Sequence, residues 1–146
     1  MTTARDIMHA GAECINEDES LLSAARKMRD LDVGSLPICG NDDRLHGIIT
    51  DRDIVVKCVS EGRDPAQVKA GEMGTDRLHL VSATDDADAV VRMMERHQIR
   101  RVPVIDDKRL VGMISEADLA QHLPEDQLAR FVENVYAPSR NGAKAR

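Results

Sequence analysis

The sequence has almost no aromatic residues: Phe131 and Tyr136 are the only two, and there is no tryptophan. Its charge also has the wrong sign for binding a polyanion, because 26 acidic residues stand against 20 basic ones and the formal net charge is -6. Nucleic-acid surfaces usually combine a basic stripe with aromatic rings that stack on bases. The composition therefore argues against a nucleic-acid partner.

Long hydrophobic runs are missing too. No apolar stretch approaches the roughly 20 residues that a helix needs to cross a bilayer. Residues 1–6 (MTTARD) lead into no apolar core of a secretory signal peptide. We therefore expect no membrane partner and a cytoplasmic location.

What the chain does contain is an internal repeat. Segments 36–38 (LPI) and 102–104 (VPV) are 66 positions apart, whereas segments 47–54 (GIITDRDI) and 112–119 (GMISEADL) are 65 apart. The turn between the two strands is thus one residue shorter in the second copy. A chain of about sixty residues buries too little surface to be robustly stable alone, so we expect the copies to pack as one module.

The sequence pattern of each copy predicts the element order strand, helix, strand, strand, helix. Apolar residues at helical spacing follow Asp18 and Ser20, either of which can cap a helix, and apolar runs on either side of a Gly/Asn/Asp turn predict two paired strands. The fold class is therefore α/β (α+β), with a small mixed sheet and two helices in each of two pseudo-symmetric repeats. The predicted boundaries are 4–62 for the first repeat, 63–69 for a linker, 70–123 for the second repeat, 124–137 for a C-terminal helix and 138–146 for a disordered tail.

These residues carry a family resemblance. Segments 99–104 (IRRVPV) and 109–112 (RLVG), with the paired segments 50–53 (TDRD) and 115–118 (SEAD), resemble a tandem pair of cystathionine-β-synthase (CBS) domains over residues 4–123. Further segments are similar to stand-alone pairs of the hypoxia-type stress response: 3–8 (TARDIM), 36–40 (LPICG), 44–47 (RLHG) and 122–125 (HLPE). The resemblance implies a pseudo-twofold regulatory module that binds an adenosine-type nucleotide, AMP, ADP or ATP, in a cleft between the repeats.

The paired Thr/Ser-x-x-Asp segments have two interpretations. Thr50 with Asp53, and Ser115 with Asp118, fit helix capping boxes and could do no more than satisfy free helix N–H groups. The same first turn also suits a phosphate. The CBS resemblance implies that Asp53 and Asp118 bind ribose while Thr50 and Ser115 approach the phosphate. Both interpretations remain open at this point.

The repeats differ in charge just before the Val-Pro-Val strand. Arg100 and Arg101 precede it, where the first repeat has Gly34 and Ser35. Neighbouring strand residues face opposite sides, so only one of these arginines can face the cleft. Because guanidinium groups match phosphate geometry, we expect the second repeat to hold a charged nucleotide better. The alternative is a surface pair that bridges acidic neighbours.

Three cysteines raise a redox question. Cys14 and Cys39 fall in predicted strands joined by a helix, and a right-handed crossover usually makes such strands neighbours. A disulfide there would close a loop of about 25 residues and stabilise the fold by roughly 3 kcal/mol. The alternative is that both thiols stay reduced, as is usual in the cytosol. Cys58 is the odd, buried thiol in the first case.

His97 and His122 are candidate zinc ligands. His97 ends a predicted helix and His122 lies four residues after Asp118, so the two could converge in space or across a dimer contact. Two ligands make only half of a structural zinc site. The alternative is that each histidine is a solvated partner of a helix dipole.

No local arrangement of nucleophile, base and orienting group stands out, so we expect a protein that is not an enzyme. Two functional classes remain. The first is a nucleotide-sensing regulatory module, a homodimer in which the ligand alters the surface offered to a second copy or to an unidentified protein. The second is a ligand-free stress protein that acts through association, with a redox-linked Cys14–Cys39 disulfide or a histidine-bound metal. In either class we expect exposed helix faces and the helix at 128–135 to form the dimer contact.

Overall fold

The computed structural model describes residues 1–11, 13–42, 44–73 and 78–138, so residues 139–146 of the predicted tail lie outside the described chain. The chain divides into two compact units. The first-repeat unit falls within residues 12–78. The second-repeat unit takes residues 1–11 together with those from His79 onwards.

The first-repeat unit is a three-stranded mixed sheet with helices. Its strands run in the order β2-β3-β4, with β2 parallel and β4 antiparallel to β3. Helix α2 begins after Ser20, whose side chain accepts a hydrogen bond from the backbone N–H of Ser23, and ends at Asp32 in the left-handed conformation. The elements are β2 (Ile15–Asn16), α2 (Leu21–Leu31), β3 (Ser35–Cys39), β4 (Leu45–Thr50), α3 (Asp51–Asp53) with the π-helix Ile54–Val59, and the 3-10 helix Ala70–Met73.

The core of this unit is formed by one face of α2 and the buried side chains of the sheet. Leu21 and Met28, which the apolar pattern predicts on this face, are buried together with Ala24, whereas Leu31 is 41% exposed. The three buried residues pack with Leu36 of β3 and Ile49 of β4, which face one another in the strand register. The helix predicted to end each copy follows Thr50 in this unit, and its latter part, Ile54–Val59, is wound as a π-helix.

The second-repeat unit has a four-stranded mixed sheet in the order β1-β7-β6-β5. Strand β5 is parallel to β6, and β7 is antiparallel to both β6 and β1. The elements are α1 (Ala4–Ile7), β1 (His9–Ala10), β5 (Val81–Ser82), α4 (Ala87–His97), β6 (Arg101–Asp106), β7 (Arg109–Ser115), α5 (Glu116–His122) and α6 (Glu125–Val135).

Helix α6 (Glu125–Val135) corresponds to the predicted C-terminal helix at 124–137 and ends two residues earlier. Pro124 stands at its N-cap, where the missing N–H of proline is tolerated. Phe131 and Val135 are buried in the core of the second-repeat unit, and Leu128 packs partly buried against it. The face that we expected at a dimer contact is thus mostly used inside the unit, and Val132 remains exposed.

The N-terminal residues lie in the second-repeat unit. The predicted first repeat begins at residue 4 in the sequence, whereas α1 and β1 pack with the strands of the second repeat. His9 pairs with Met113, and Ala10 pairs with Gly112. A side chain at Gly112 would bring its Cβ within 2.6 Å of the His9 carbonyl oxygen. This close backbone approach, together with the buried apolar residues of α1, holds the segment in the second-repeat unit.

The first residues of the predicted second repeat pack in the first-repeat unit in the same way. The 3-10 helix Ala70–Met73 belongs to the first-repeat unit. Ala70 and Met73 are buried in its core, and the N–H of Ala70 donates to the carbonyl of Glu19. Burial of these two apolar side chains holds the segment in the first-repeat unit.

Among the described residues, no helix is both long enough and apolar enough to cross a lipid bilayer.

Candidate functional site

The end of β7 and the start of α5 form a tight polar cluster. Ser115 is the N-cap of α5, and its Oγ lies 3.4 Å from the backbone nitrogen of Asp118, which donates to it. In return Oδ2 of Asp118 accepts from the backbone N–H of Ser115 at 2.8 Å and from its hydroxyl at 3.0 Å. Asp118 is only 9% exposed. The predicted capping box is therefore confirmed here.

A residue that the sequence pattern did not indicate completes this cluster. The Nδ1 atom of His9 lies 2.7 Å from Oδ2 of Asp118. Because the carboxylate oxygen accepts, Nδ1 carries the proton of this hydrogen bond. His9 reaches Asp118 because β1 pairs with β7, and no spacing rule links two residues 109 positions apart.

The matching junction of β4 and α3 has the same box with a different neighbour. Oγ1 of Thr50 accepts from the backbone N–H of Asp53 at 3.1 Å, and Oδ2 of Asp53 accepts from the backbone N–H of Thr50 at 2.9 Å. The other oxygen, Oδ1, forms an ion pair with Nζ of Lys57 at 3.3 Å. The two repeats thus present equivalent carboxylates in different surroundings.

A third Thr-x-x-Asp box starts α1. Oδ2 of Asp6 accepts from the backbone N–H of Thr3 at 2.8 Å and from its hydroxyl at 3.2 Å. These backbone and side-chain hydrogen bonds from Thr3 hold the pKa of Asp6 below its usual value. Because the box recurs at a helix that we did not consider as a site, the motif alone indicates capping. Any ligand role must come from the surroundings.

Arg100 and Arg101 of the second repeat have different neighbours. Arg101 is the register partner of Ser115 across β6 and β7. The guanidinium of Arg100 instead donates to the hydroxyl of Tyr136 at 3.2 Å and lies 5.7 Å from the centroid of that ring. In the first repeat the residue paired with Thr50 is Ser35. Arg101 is therefore the arginine beside the Ser115–Asp118 cluster.

The predicted pairing of cysteines is present in the structure. Cys14 and Cys39 form a disulfide with their Cα atoms 5.7 Å apart. Strand β2 runs parallel to β3 with Ile15 opposite Ile38, which brings the two cysteines together. Cys58 is a free, fully buried thiol, as expected.

The two candidate zinc ligands have other neighbours. The ring of His97 stacks on that of His79, with centroids 4.1 Å apart. Nδ1 of His122 lies 2.8 Å from the carbonyl oxygen of Asp118. Within the part of the chain that the structure describes, no three His, Cys, Asp or Glu side chains are grouped so as to hold a metal ion. A zinc ion at His97 or His122 would need ligands from elsewhere, so this assignment stays a prediction.

Known proteins resemble this chain over most of its length. The sequence profile of the CBS domain matches residues 4–60 and again residues 70–125. Hypoxic response protein 1 of Mycobacterium tuberculosis is 52% identical over 138 residues, which cover 94% of this chain and 96% of that protein. The protein YlbB of Bacillus subtilis is 33% identical, with 82% and 81% of the two chains covered.

Solved structures agree with the sequence comparison. A crystal structure of hypoxic response protein I with two coordinated zinc ions matches with a TM-score of 0.77 and 54% identity, over 84% of this chain and 100% of that one. A putative signal-transduction protein with CBS domains from Burkholderia ambifaria matches with a TM-score of 0.75 and 26% identity, over 86% and 96% of the two chains. The predicted fold and the predicted family are confirmed, and this chain belongs to the CBS-domain family, with two CBS domains in tandem.

Proposed function

We propose that this protein is a non-enzymatic regulatory module of the hypoxia-type stress response that binds an adenosine-type nucleotide at its second repeat. The observation that supports the proposal is the buried carboxylate of Asp118 next to Ser115, with Arg101 as the cross-strand partner of Ser115. A carboxylate accepts hydrogen bonds from ribose hydroxyls. A guanidinium group binds phosphate with two parallel hydrogen bonds.

The second repeat is favoured over the first for a reason of charge. Ser35 occupies, opposite Thr50, the register position that Arg101 occupies opposite Ser115. Lys57 supplies a cation near Asp53, but it reaches that carboxylate from a half-exposed position on the same helix. An ammonium group also lacks the planar fork that suits phosphate oxygens. We therefore expect the first repeat to bind more weakly.

Thermal unfolding with increasing AMP, ADP and ATP tests nucleotide binding. A ligand that binds only the folded state raises its stability by about 2.7 kcal/mol at a concentration one hundred times its Kd. We expect a concentration-dependent rise in Tm with at least one of the three nucleotides. The absence of a shift with all three would favour the alternative, a ligand-free protein that acts through association.

The two arginines provide a matched pair of variants. We expect Arg101→Ala to weaken AMP binding roughly tenfold in isothermal titration calorimetry, because it removes charge-assisted hydrogen bonds to the phosphate. Arg100→Ala should leave the Kd of AMP unchanged, since this arginine contacts Tyr136. Adenosine, which has no phosphate, should bind both variants alike. Equal weakening of AMP by the two substitutions would contradict this assignment.

Zinc binding by His97 and His122 is a second candidate. The related crystal structure contains two zinc ions. If Nδ1 of His122 donates to the carbonyl of Asp118, its Nε2 keeps a lone pair, which is the arrangement usual for metal-bound histidines. Since the described residues of one chain do not assemble three ligands, we propose that a second copy supplies the remaining ones.

Native mass spectrometry with added zinc tests this candidate. We expect a dimer that retains zinc, and a loss of zinc in His97→Ala and in His122→Ala. His46→Ala serves as the control, because His46 lies in the first-repeat unit beside Asp42 and Glu17. Zinc retention by both variants would remove His97 and His122 as ligands.

A further inference from the structure

The carboxylate that carries the proposed function is already engaged by the chain itself. Oδ2 of Asp118 receives three hydrogen bonds, of which two come from Ser115 within the capping box and the third from His9. His9 is the donor that comes from a different element, the two-residue strand β1. Its side chain is 49% exposed, whereas that of Asp118 is 13% exposed.

We propose that His9 is an internal competitor of the nucleotide at this site: its imidazole holds the place on Asp118 that the 2′,3′-diol of a nucleotide requires. The inference rests on the proposed nucleotide binding at Asp118 and extends it. A ligand that offers two adjacent hydroxyl groups replaces the His9 hydrogen bond and gains a second one. A ligand that lacks the diol leaves the His9 hydrogen bond in place, so its affinity does not depend on His9.

The geometry indicates which of the three donors yields. The two bonds from Ser115 belong to the cap of α5, and breaking them would leave helix N–H groups and the serine hydroxyl unsatisfied. The backbone of His9 is held by its pairing with Met113, and α1 before it is anchored by the buried Ala4 and Ile7. The half-exposed imidazole has solvent on one side. A rotation about its side-chain bonds therefore frees Oδ2 without moving the strand.

In the described part of the first repeat, the equivalent carboxylate has a different partner. The carboxylate of Asp53 is paired with Lys57, which is one helical turn further along the same helix. An exposed lysine on a flexible stem is readily replaced by water. We therefore expect His9 to lower the affinity of the second repeat for a diol more than Lys57 lowers that of the first repeat.

A set of variants and ligands tests the proposal in titration calorimetry with the full chain. The ligands are AMP and 2′,3′-dideoxy-AMP, and the proteins are wild type, His9→Ala and His9→Asn. We expect His9→Ala to bind AMP about tenfold more tightly than wild type, a gain of about 1.4 kcal/mol, because Asp118 no longer has to release a partner. The dideoxy nucleotide, which makes no use of Asp118, should bind wild type and His9→Ala with the same affinity.

His9→Asn is the conservative control. Its amide nitrogen can stand close to the place of Nδ1 and donate the same hydrogen bond, so its affinity for AMP should stay near that of wild type. Unchanged or weaker AMP binding by His9→Ala would overturn the proposal, and so would an equal gain for both ligands. If AMP binds neither wild type nor His9→Ala, the proposed nucleotide function itself fails and this inference fails with it.

Discussion

At the scale of single residues, the same capping motif occurs three times in different surroundings. Asp6, Asp53 and Asp118 each accept the backbone N–H of the Thr or Ser three positions before them. What separates them is the next neighbour: Asp53 has Lys57, and Asp118 has His9. The capping function is local, whereas the chemistry available to a ligand depends on residues brought in by the tertiary fold.

Gly112 allows His9 to reach its partner, and this leads to a prediction. In Gly112→Ala the new methyl carbon would lie 2.6 Å from the carbonyl oxygen of His9 and 2.6 Å from Sδ of Met8. The backbone contact cannot be relieved by a rotamer change, so we expect a loss of about 1–3 kcal/mol in the free energy of unfolding, measured by urea denaturation.

Gly34→Ala is the matched control for that substitution. The atoms nearest to its new methyl carbon belong to the side-chain carboxyl group of Asp51, at 3.3 Å and beyond, and this group can move. We expect the free energy of unfolding to change by less than about 0.5 kcal/mol. Equal losses in the two variants would show that the close approach of β1 is not what requires glycine at 112.

At the scale of elements, the disulfide and the helix caps hold the short segments in place. Strand β2 has only two residues, and its pairing with β3 is reinforced by the covalent bond between Cys14 and Cys39. Helix α1 has only four residues and depends on its capping box and on the burial of Ala4 and Ile7. Elements this short cannot be stable by hydrogen bonding within the element alone.

Removal of the disulfide should be measurable. We expect the double variant Cys14→Ser with Cys39→Ser to lose roughly 3 kcal/mol in the free energy of unfolding, because the unfolded chain regains the entropy of a loop of about 25 residues. Urea denaturation with and without dithiothreitol provides the measurement. The reductant should destabilise wild type by a similar amount and leave the double variant unchanged, whereas a wild type insensitive to reductant would argue against the bond.

The cap of α1 predicts a pH dependence. The pKa of Asp6 is held below its usual 3.8 by the hydrogen bonds from Thr3, so the ionised form is preferred in the folded state. The contribution of this carboxylate to stability is thus fully present above about pH 4 and is lost as the pH falls through the folded pKa. The difference in the free energy of unfolding between wild type and Asp6→Asn should be constant from pH 7 to pH 5. It should then decline as the pH falls below 3.8 and through the folded pKa. A difference that does not decline as the pH falls below the usual pKa of 3.8 would contradict the role of the ionised carboxylate.

At the scale of the whole molecule, we propose that the protein forms a homodimer through the helix that follows Asp53. Val55, Val56 and Val59 are 57%, 43% and 54% exposed and lie close together on the π-helix Ile54–Val59. An exposed apolar cluster of this kind usually marks an interaction surface. The corresponding positions 120, 121 and 124 of the second repeat are Ala, Gln and Pro, so the cluster is specific to the first repeat.

Light scattering coupled to size exclusion tests this interface. We expect Val55→Glu with Val59→Glu to convert the dimer to a monomer, because charged side chains resist burial at a contact. Val132→Glu, a matched change at the exposed valine of α6, should leave the dimer intact. Dissociation by Val132→Glu alone would assign the contact to α6 instead.

Much of this molecule follows from sequence alone. The repeat, the order of elements, a helix that starts near Ser20 and another that opens at Pro124 were predictable, and the pairing of Cys14 with Cys39 was one of two alternatives that the sequence left open. They depend on apolar periodicity, on capping chemistry and on a single crossover, each of which acts over a few residues to about 25.

The tertiary structure alone decided the rest. It placed α1 and β1 with the second repeat, set His9 against Asp118 and directed Arg100 to Tyr136, leaving Arg101 as the neighbour of Ser115. The His9–Asp118 contact joins residues 109 positions apart, and local sequence carries no signal for it. Such contacts exist because strands pair and helices pack, so they become visible only once the chain has folded.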